Sequence, residues 1–263
     1  MPWTTLATLD LEAITAAVNR VFESFVAPIW LSVEQMGAHL LDNHVVLEHS
    51  PLWLSDAGEI IGLGALAIRE RRGWIAGFGI SPEFRNQGLS HLLIEKVLQQ
   101  AVALQLKTVQ LEVRIDNFSA LSTYRRAGFQ TRRSLCTWKL APDNICDETV
   151  QNTVDLTVRT APCWQREAET LQRMQDLQTL KLGEDSLSFR LQPSRASVYR
   201  VRARTPEKLA KLFSSLQLRY RDLPLRILNE PVGSPLSICL KGWEWEETGD
   251  QYEMSWENSQ CGF

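Results

Sequence analysis

The stretch Ile80-Ser-Pro-Glu-Phe-Arg85-Asn-Gln-Gly88-Leu-Ser90 closes an extended apolar run and turns, through a glycine, directly onto the helical run His91 to Leu104. A strand end that meets a helix start leaves several backbone N–H groups without intrahelical partners at the positive end of the helix dipole. Such a corner favours a phosphate. Gly88 permits an otherwise strained backbone there and removes the side chain that would hold a ligand away. Arg85 adds a fixed cation to the same turn.

A second segment follows at a helix's distance: Leu111-Glu-Val-Arg-Ile-Asp-Asn117-Phe-Ser-Ala120-Leu-Ser-Thr-Tyr124-Arg-Arg-Ala-Gly128-Phe129. Arg85-x-x-Gly88-x-Ser90 resembles the pyrophosphate signature Gln/Arg-x-x-Gly-x-Gly/Ala of the GNAT superfamily, the acyl-CoA-dependent N-acetyltransferases, with Ser90 departing from the last position. The second segment is similar to that family's later motif: a strand, an Asn, an Ala and a Tyr on one helix, and a terminal Gly-Phe. Two ordered motifs carry the resemblance over roughly the first 140 residues.

The resemblance implies a mechanism. An acyl thioester is already activated, so the protein must hold an amine in line with its carbonyl, take a proton from that amine and stabilise the oxyanion. By resemblance, the strand ending at Ile80 splays from its neighbour, and the exposed backbone of Phe78, Gly79 and Ile80 pairs with the pantetheine arm of acetyl-CoA. The amides of Asn86, Gln87, Gly88, Leu89 and Ser90 hold the pyrophosphate. Tyr124 matches the general acid that protonates the departing thiolate, and Asn117 the residue that contacts the CoA arm. Glu112 resembles the general base of ribosomal-protein N-terminal acetyltransferases; a carboxylate of ordinary pKa about 4.3 needs a water relay or burial for that task. Each has a plainer reading: Gly88 as a turn glycine, Tyr124 as a core tyrosine, Asn117 as a helix N-cap, Glu112 as a solvated strand residue. Arg71-Arg72 and Arg132-Arg133 read as exposed charges, and the tryptophans as core or interface anchors.

A chain of 263 residues with 44% hydrophobic and 22% charged residues suits a globular protein of two domains. The net charge of −3 gives no general drive toward nucleic acid or an anionic membrane. The N-terminus lacks a signal-peptide pattern, and no apolar run reaches bilayer length, so a cytoplasmic location is expected. Cys136, Cys146, Cys163, Cys239 and Cys261 are irregularly spaced and read as free thiols. His39, His44, His49 and His91 show no metal-ligand spacing, so no metal is expected.

Asp10 caps a helix with Leu11, Ile14, Val18, Val21, Phe22 and Phe25 on one face, ended by Pro28. Ser32-x-x-Gln35 is a capping box for a second helix with Val33, Met36, Leu40 and Leu41 inward. Val45–Leu54, Glu59–Arg69 and Trp74–Ile80 read as an antiparallel meander, followed by the helix from Ser90, a parallel strand Thr108–Val113, a helix Asn117–Ala127 stopped by Gly128, and a strand Phe129–Leu140. The fold class is α+β, a GNAT fold with a mixed, mostly antiparallel sheet flanked by helices, over residues 1–142, with a linker at 143–153.

Residues 154–263 read as a smaller GNAT-like α/β half-domain: a helix Arg166–Leu182, a strand Val198–Ala203, a helix Pro206–Leu218 capped by Thr205, a strand Leu223–Leu228 and a closing strand Tyr252–Trp256. Laying Gly242-Trp243 over Gly128-Phe129 brings Leu225 onto Leu111 and Ile227 onto Val113, yet puts Ile238 on Tyr124 and Pro231 on Asn117. Ile80 to Leu111 spans 31 residues and Val201 to Leu225 only 24, so the phosphate turn is missing. This half is expected to bind no CoA; it shapes the acceptor cleft or forms a homodimer surface.

The expected function is transfer of an acetyl group from acetyl-CoA to a primary amine of a small molecule or peptide terminus. The alternative is a catalytically silent CoA sensor or scaffold. Trp30, Met36 and Glu34 are the acceptor-side candidates.

Overall fold

Helix α1 (Leu11–Phe22) starts where Asp10 Oδ1 accepts from the amide of Ala13 at 2.8 Å, and α2 (Val33–Asp42) starts on the expected capping box, with Ser32 and Gln35 exchanging side-chain and backbone hydrogen bonds. The structure, a computed structural model, describes residues 2–23, 30–142, 154–158, 160–243 and 245–259. Phe25, Pro28, the expected linker at 143–153, Cys146 and Cys261 lie outside the described residues.

The residues group into two compact units, Met1–Arg132 with Glu253–Phe263, and Arg133–Tyr252. In the first, β1 (Trp3–Thr5), β2 (Pro51–Leu54), β3 (Ile60–Arg69) and β4 (Arg72–Ile80) form an antiparallel meander. Helix α3 (Leu89–Ala103) crosses over to β5 (Thr108–Arg114), which runs parallel to β4. Then comes α4 (Phe118–Arg126), ended by Gly128 at φ +93°, the left-handed C-terminal position that glycine favours. Leu6, Ile14, Val21, Met36, Leu52 and Leu63 form the core between α1, α2 and the sheet. Gly79 lets α1 approach the sheet, since a Cβ there would lie 2.4 Å from Val21 Cγ1.

The second unit repeats the plan. Strand β6 (Gln130–Leu140), all but its first three residues in this unit, lies antiparallel to β10 (Leu225–Pro231). Beyond β10 come β9 (Arg195–Arg202), β8 (Asp185–Gln192) and β7 (Gln178–Leu182), with β9 and β10 parallel and α6 (Pro206–Arg219) between them. Helix α7 (Pro235–Gly242) precedes β11 (Glu246–Glu257). Phe213 on α6 packs its ring 4.9 Å from Trp245 and 6.4 Å from Trp243, over Trp138, Phe189, Leu225 and Ile227. The strand after α4 thus groups mainly with the second unit, and the end of β11 with the first, where it lies next to β5.

Two expectations fail locally. The strand expected over Val45–Leu54 is present only at Pro51–Leu54: His44 sits at φ +62° and Leu47–His49 winds into a 3-10 turn, so only one isolated bridge, Val45 to Ala67, remains upstream. The helix expected over Arg166–Leu182 is six residues, α5 (Ala168–Arg173). Gln178–Leu182 instead forms a hairpin with β8 through Gly183 at φ +65°. The alternating Thr-Leu-Lys-Leu suits a pleated edge better than a helix face once a partner strand is present. Strand β1 was not anticipated; its Trp3 stacks on Trp53 of β2 at 4.5 Å between centroids.

The paired arginines have structural partners. Arg71 donates to the carbonyl of Gln105, Arg132 to Ser255 and Glu257, and Arg133 to the carbonyls of Ala161 and Pro162. Arg166 and Glu230 form a buried ion pair in the second unit; Ser234 also donates to Glu230, and Arg166 to the carbonyl of Tyr199.

Candidate active site

Eight residues, 81–88, join β4 to α3 in the first unit, whereas three, 203–205, join β9 to α6 in the second. The longer loop carries two left-handed residues, Asn86 at φ +60° and Gly88 at φ +74°, after a 3-10 turn at Pro82–Phe84. Left-handed residues alternating with their neighbours aim successive amides to one side, and α3 adds its free N-terminal donors. A Cβ built on Gly88 meets no atom within 4 Å, so the space in front of these amides is open to a diphosphate. Ser81 anchors the loop by donating from Oγ to the carbonyl of Ile60 at 2.6 Å. Ser90 Oγ lies 3.2 Å from Thr123 Oγ1, which ties the first turn of α3 to α4.

Arg85, expected to add a cation to this turn, is bound to two backbone carbonyls. Its Nε donates to the carbonyl of Ile80 at 3.0 Å and a terminal nitrogen to that of Val21 at 2.7 Å. The guanidinium therefore clamps the loop to the strand end and to the negative end of α1.

Strands β4 and β5 register at three pairs, Arg72 with Thr108, Gly73 with Val109 and Trp74 with Gln110, and the ladder goes no further. Phe78, Gly79 and Ile80 register against β3 alone, opposite Gly64, Leu63 and Gly62. On the side away from β3, the backbone groups of Phe78 and the amide of Ile80 face a gap that an extended ligand can pair with, the Ile80 carbonyl being held by Arg85. A bulge adds to the splay: Ala65 faces Gly77 and Leu66 faces Ile75, which leaves Ala76 extra. The extra residue resets the alternation of side chains. Trp74 consequently points to α2, while Phe78, four residues on, points to α4, where its ring lies 5.6 Å from that of Tyr124.

Tyr124 is 6% exposed, wedged between Phe78 and Phe129 at 5.6 and 5.8 Å. Among the described residues its hydroxyl has no hydrogen-bond partner. Burial pushes its pKa up, so it stays protonated through the neutral range. Asn117 caps α4, its Oδ1 accepting from the amide of Ala120 at 3.1 Å. That bond occupies the oxygen and leaves the Nδ2 donors for other use.

Glu112 is half-buried on β5. The indole of Trp74 donates to its Oε2 at 2.6 Å, and the Trp74 ring lies 6.2 Å from His39 on α2. The His39 imidazole hydrogen-bonds to the backbone of Ala76, the bulge residue, with Asn43 Nδ2 at 3.4 Å from its Nδ1. Burial holds its pKa below the ordinary histidine value, against the Ala76 bond and the charge of Asp42. The site therefore has two sides: Tyr124 and Phe78 toward α4, and Glu112, Trp74 and His39 toward α2. Sequence reasoning missed His39 and Trp74, because one was weighed only as a metal ligand and the other only as an anchor; no spacing links them to Glu112. Of the acceptor-side candidates, Met36 is buried in the core, while Trp30 is 75% exposed and lines a cavity of about 540 Å³ with Glu12, Asn19, Arg20, Glu23 and Ser32.

Among the described residues no cluster of three or more His, Cys, Asp or Glu side chains could hold a metal ion, and no helix is long and apolar enough to cross a membrane.

Residues 19–129 match the acetyltransferase (GNAT) family. The whole chain is similar in fold to a GCN5-related N-acetyltransferase from Sphaerobacter thermophilus, with a TM-score of 0.69 and 13% identity over 97% of this chain and 95% of that one. It is similar to a tandem GNAT protein from the clavulanic acid biosynthesis pathway, with a TM-score of 0.62 and 12% identity over 100% and 99%. A GCN5-related N-acetyltransferase from Anabaena variabilis matches at a TM-score of 0.56 and 13% identity over 97% and 72%. At these identities the structural likeness speaks for the fold, and the family match speaks for the first half. The splayed β4–β5 pair and the open loop before α3 lie within the matched residues 19–129, and over its whole length the chain shares the fold of a tandem GNAT protein.

Proposed function

We propose that the chain is an acetyl-CoA-dependent N-acetyltransferase acting on a primary amine of a small molecule or peptide terminus, with its active site in the first unit. The observation that carries this reading is the end of the β4–β5 ladder at Trp74 and Gln110, immediately upstream of the Gly88 loop. A gap in a sheet next to a cluster of outward amides suits a long ligand with an extended amide-bearing arm and a diphosphate, and acetyl-CoA is such a ligand. When bound, it supplies an activated acyl thioester.

The amides of Asn86, Gln87, Gly88, Leu89 and Ser90 grip the diphosphate, and the backbone edge of Phe78, Gly79 and Ile80, whose last carbonyl Arg85 holds, pairs with the arm and offers a donor where charge develops on the acyl oxygen. Asn117 uses its Nδ2 on the same arm. Glu112, held by the Trp74 indole, takes the proton of the acceptor ammonium through water. The donated indole bond fixes the orientation of the carboxylate. Tyr124 gives its proton to the leaving sulfur. Its raised pKa keeps that proton in place until the thiolate forms. In becoming the amide the ammonium loses two protons: one passes through Glu112 to solvent, and the other replaces the proton that Tyr124 gives to the leaving sulfur.

The acceptor enters from the α2 side, past Trp30 and the acidic Glu12 and Glu23, whose charges suit a cationic amine. Nothing in the net charge favours nucleic acid, and a cytoplasmic location fits the free thiols of Cys136, Cys163 and Cys239. The three-residue β9–α6 connection leaves no loop like the one before α3, which fits a shaping or homodimerising part for the second unit rather than a second CoA site. The burial of Tyr124 between two phenylalanines is the observation that favours the competing reading, a silent CoA-binding sensor.

The test is release of free CoA from acetyl-CoA with a panel of amines. Tyr124→Phe is expected to lower kcat by about 10²–10⁴-fold with CoA affinity unchanged. Tight CoA binding without turnover for any amine replaces the enzyme with the sensor. Failure to bind CoA overturns both.

A further inference from the structure

Strand β9 pairs with β10 so that Arg226 lies beside Ser197, and β10 pairs with β6 so that the same Arg226 lies opposite Lys139. Side chains two residues apart on a strand share a face, so Arg195 joins this group diagonally through Ser197. The alternate residues, Ala196, Val198, Leu225, Ile227, Leu140 and Trp138, are buried in the core against α6. One face of the second unit's sheet is thus sealed, and the other presents Arg195, Arg226 and Lys139 together. They line a cavity of about 390 Å³, with Thr248 and Ser194 at its walls, a volume within the range of small-molecule sites.

The charges in this cavity are unbalanced. Among the described residues neither Arg195 nor Arg226 makes an ion pair, and Nε of Arg195 is buried with no hydrogen-bond partner. Lys139 reaches one acid, Glu246, at 4.0 Å, and both of those side chains are about half exposed or more. Burial and then the charge of Arg195 lower the pKa of Arg226, opposed only by Tyr199. Two half-buried guanidinium groups facing each other without a carboxylate are destabilising by themselves. They become favourable when an anion accepts from both, because the planar fork of each matches two oxygens of a carboxylate or phosphate.

We infer that the open face of the second unit's sheet is a binding site for a small polyanion, a polycarboxylate or phosphate compound, gripped by Arg195 and Arg226 and steered by Lys139. The site lies wholly within residues of the second unit and does not depend on the acetyl-CoA reading of the first. It gives the half that lacks a phosphate loop a recognition task of its own.

Titration calorimetry on the full chain tests this, with inorganic phosphate in one arm and citrate in the other, each against chloride at matched ionic strength. Saturable one-to-one binding of at least one probe is expected. Citrate alone marks a polycarboxylate site, and phosphate alone or both mark a phosphoryl site. Arg226→Gln and Arg195→Gln should each weaken binding about tenfold or more, while Lys181→Gln, on the exposed edge strand β7, leaves it within about twofold. A second readout separates binding from folding: without ligand at low salt, Arg226→Gln should melt no lower than the parent, because a repulsion is removed. The inference is overturned if neither probe binds beyond the chloride control, if Lys181→Gln weakens binding as much as Arg226→Gln, or if Arg226→Gln melts markedly lower without ligand.

Discussion

Gly88→Ala separates the backbone's need for glycine from the ligand's need for space. At φ +74° an alanine costs about 1–2 kcal/mol through its Cβ. No steric term adds to this, since the new methyl carbon meets nothing within 4 Å. Gly58 is a matched control: φ +83°, the same open surroundings, and a place in the hairpin turn between β2 and β3. Both variants should therefore lower the first unit's melting point alike, by about 2–8 °C for 1–2 kcal/mol in a unit of this size. Only Gly88→Ala should lose CoA. Its methyl group occupies the space in front of the loop amides, and loss of one charge-assisted hydrogen bond, worth about 1.5–3 kcal/mol, weakens binding about 10–150-fold. Calorimetric titration with CoA reads the affinity, and differential scanning reads the stability. The reasoning is refuted if Gly58→Ala weakens CoA equally, or if Gly88→Ala binds CoA as the parent does.

Three further outcomes follow from the environments of single groups. The pKa of His39 is depressed on folding, so as pH falls through the unfolded value of about 6.5 the unfolded chain takes up the proton first. Its contribution is complete above that pH and fades below it. His39→Gln should flatten the fall in urea midpoint between about pH 7 and about pH 5, and an unchanged slope counts against the burial argument. Cys136 and Cys239 have pKa values pushed up to about 11 by burial, so a disulfide reagent at pH 8 should label them only after denaturation; labelling of either in the native protein would contradict their placement. Arg166→Leu strands Glu230 in the second unit and should cost about 3–5 kcal/mol, part of it restored in the Arg166→Leu/Glu230→Leu double variant. A cost under about 1 kcal/mol would show that the pair is not buried as described.

How far the chain could be read in advance depended on the range of the interactions involved. Caps at Asp10, Ser32, Asn117 and Thr205, and the left-handed glycines at 88 and 128, rest on bonds or torsions within four residues, and each stands where its local chemistry put it. The GNAT resemblance was legible for the same reason: its motifs are contiguous turns and caps. The short β9–α6 connection was likewise countable from spacing alone.

Tertiary structure alone decided the rest. Gln178–Leu182 is a strand because β8 lies beside it, and an apolar alternation carries no record of its partner. Arg85 finds the carbonyls of Ile80 and Val21, the latter 64 positions away in the chain, which its place in the turn does not foretell. Trp74 meets Glu112 across 38 positions, and His39 meets the Ala76 bulge because that bulge turns the strand's alternation over. The sequence by itself determined where the backbone had to turn, cap and leave amides exposed, because those demands are met by neighbours along the chain. Which side chains share the site, and which cations in the second unit face one another unpaired, was settled by strand register, a long-range choice made by burial of the whole sheet.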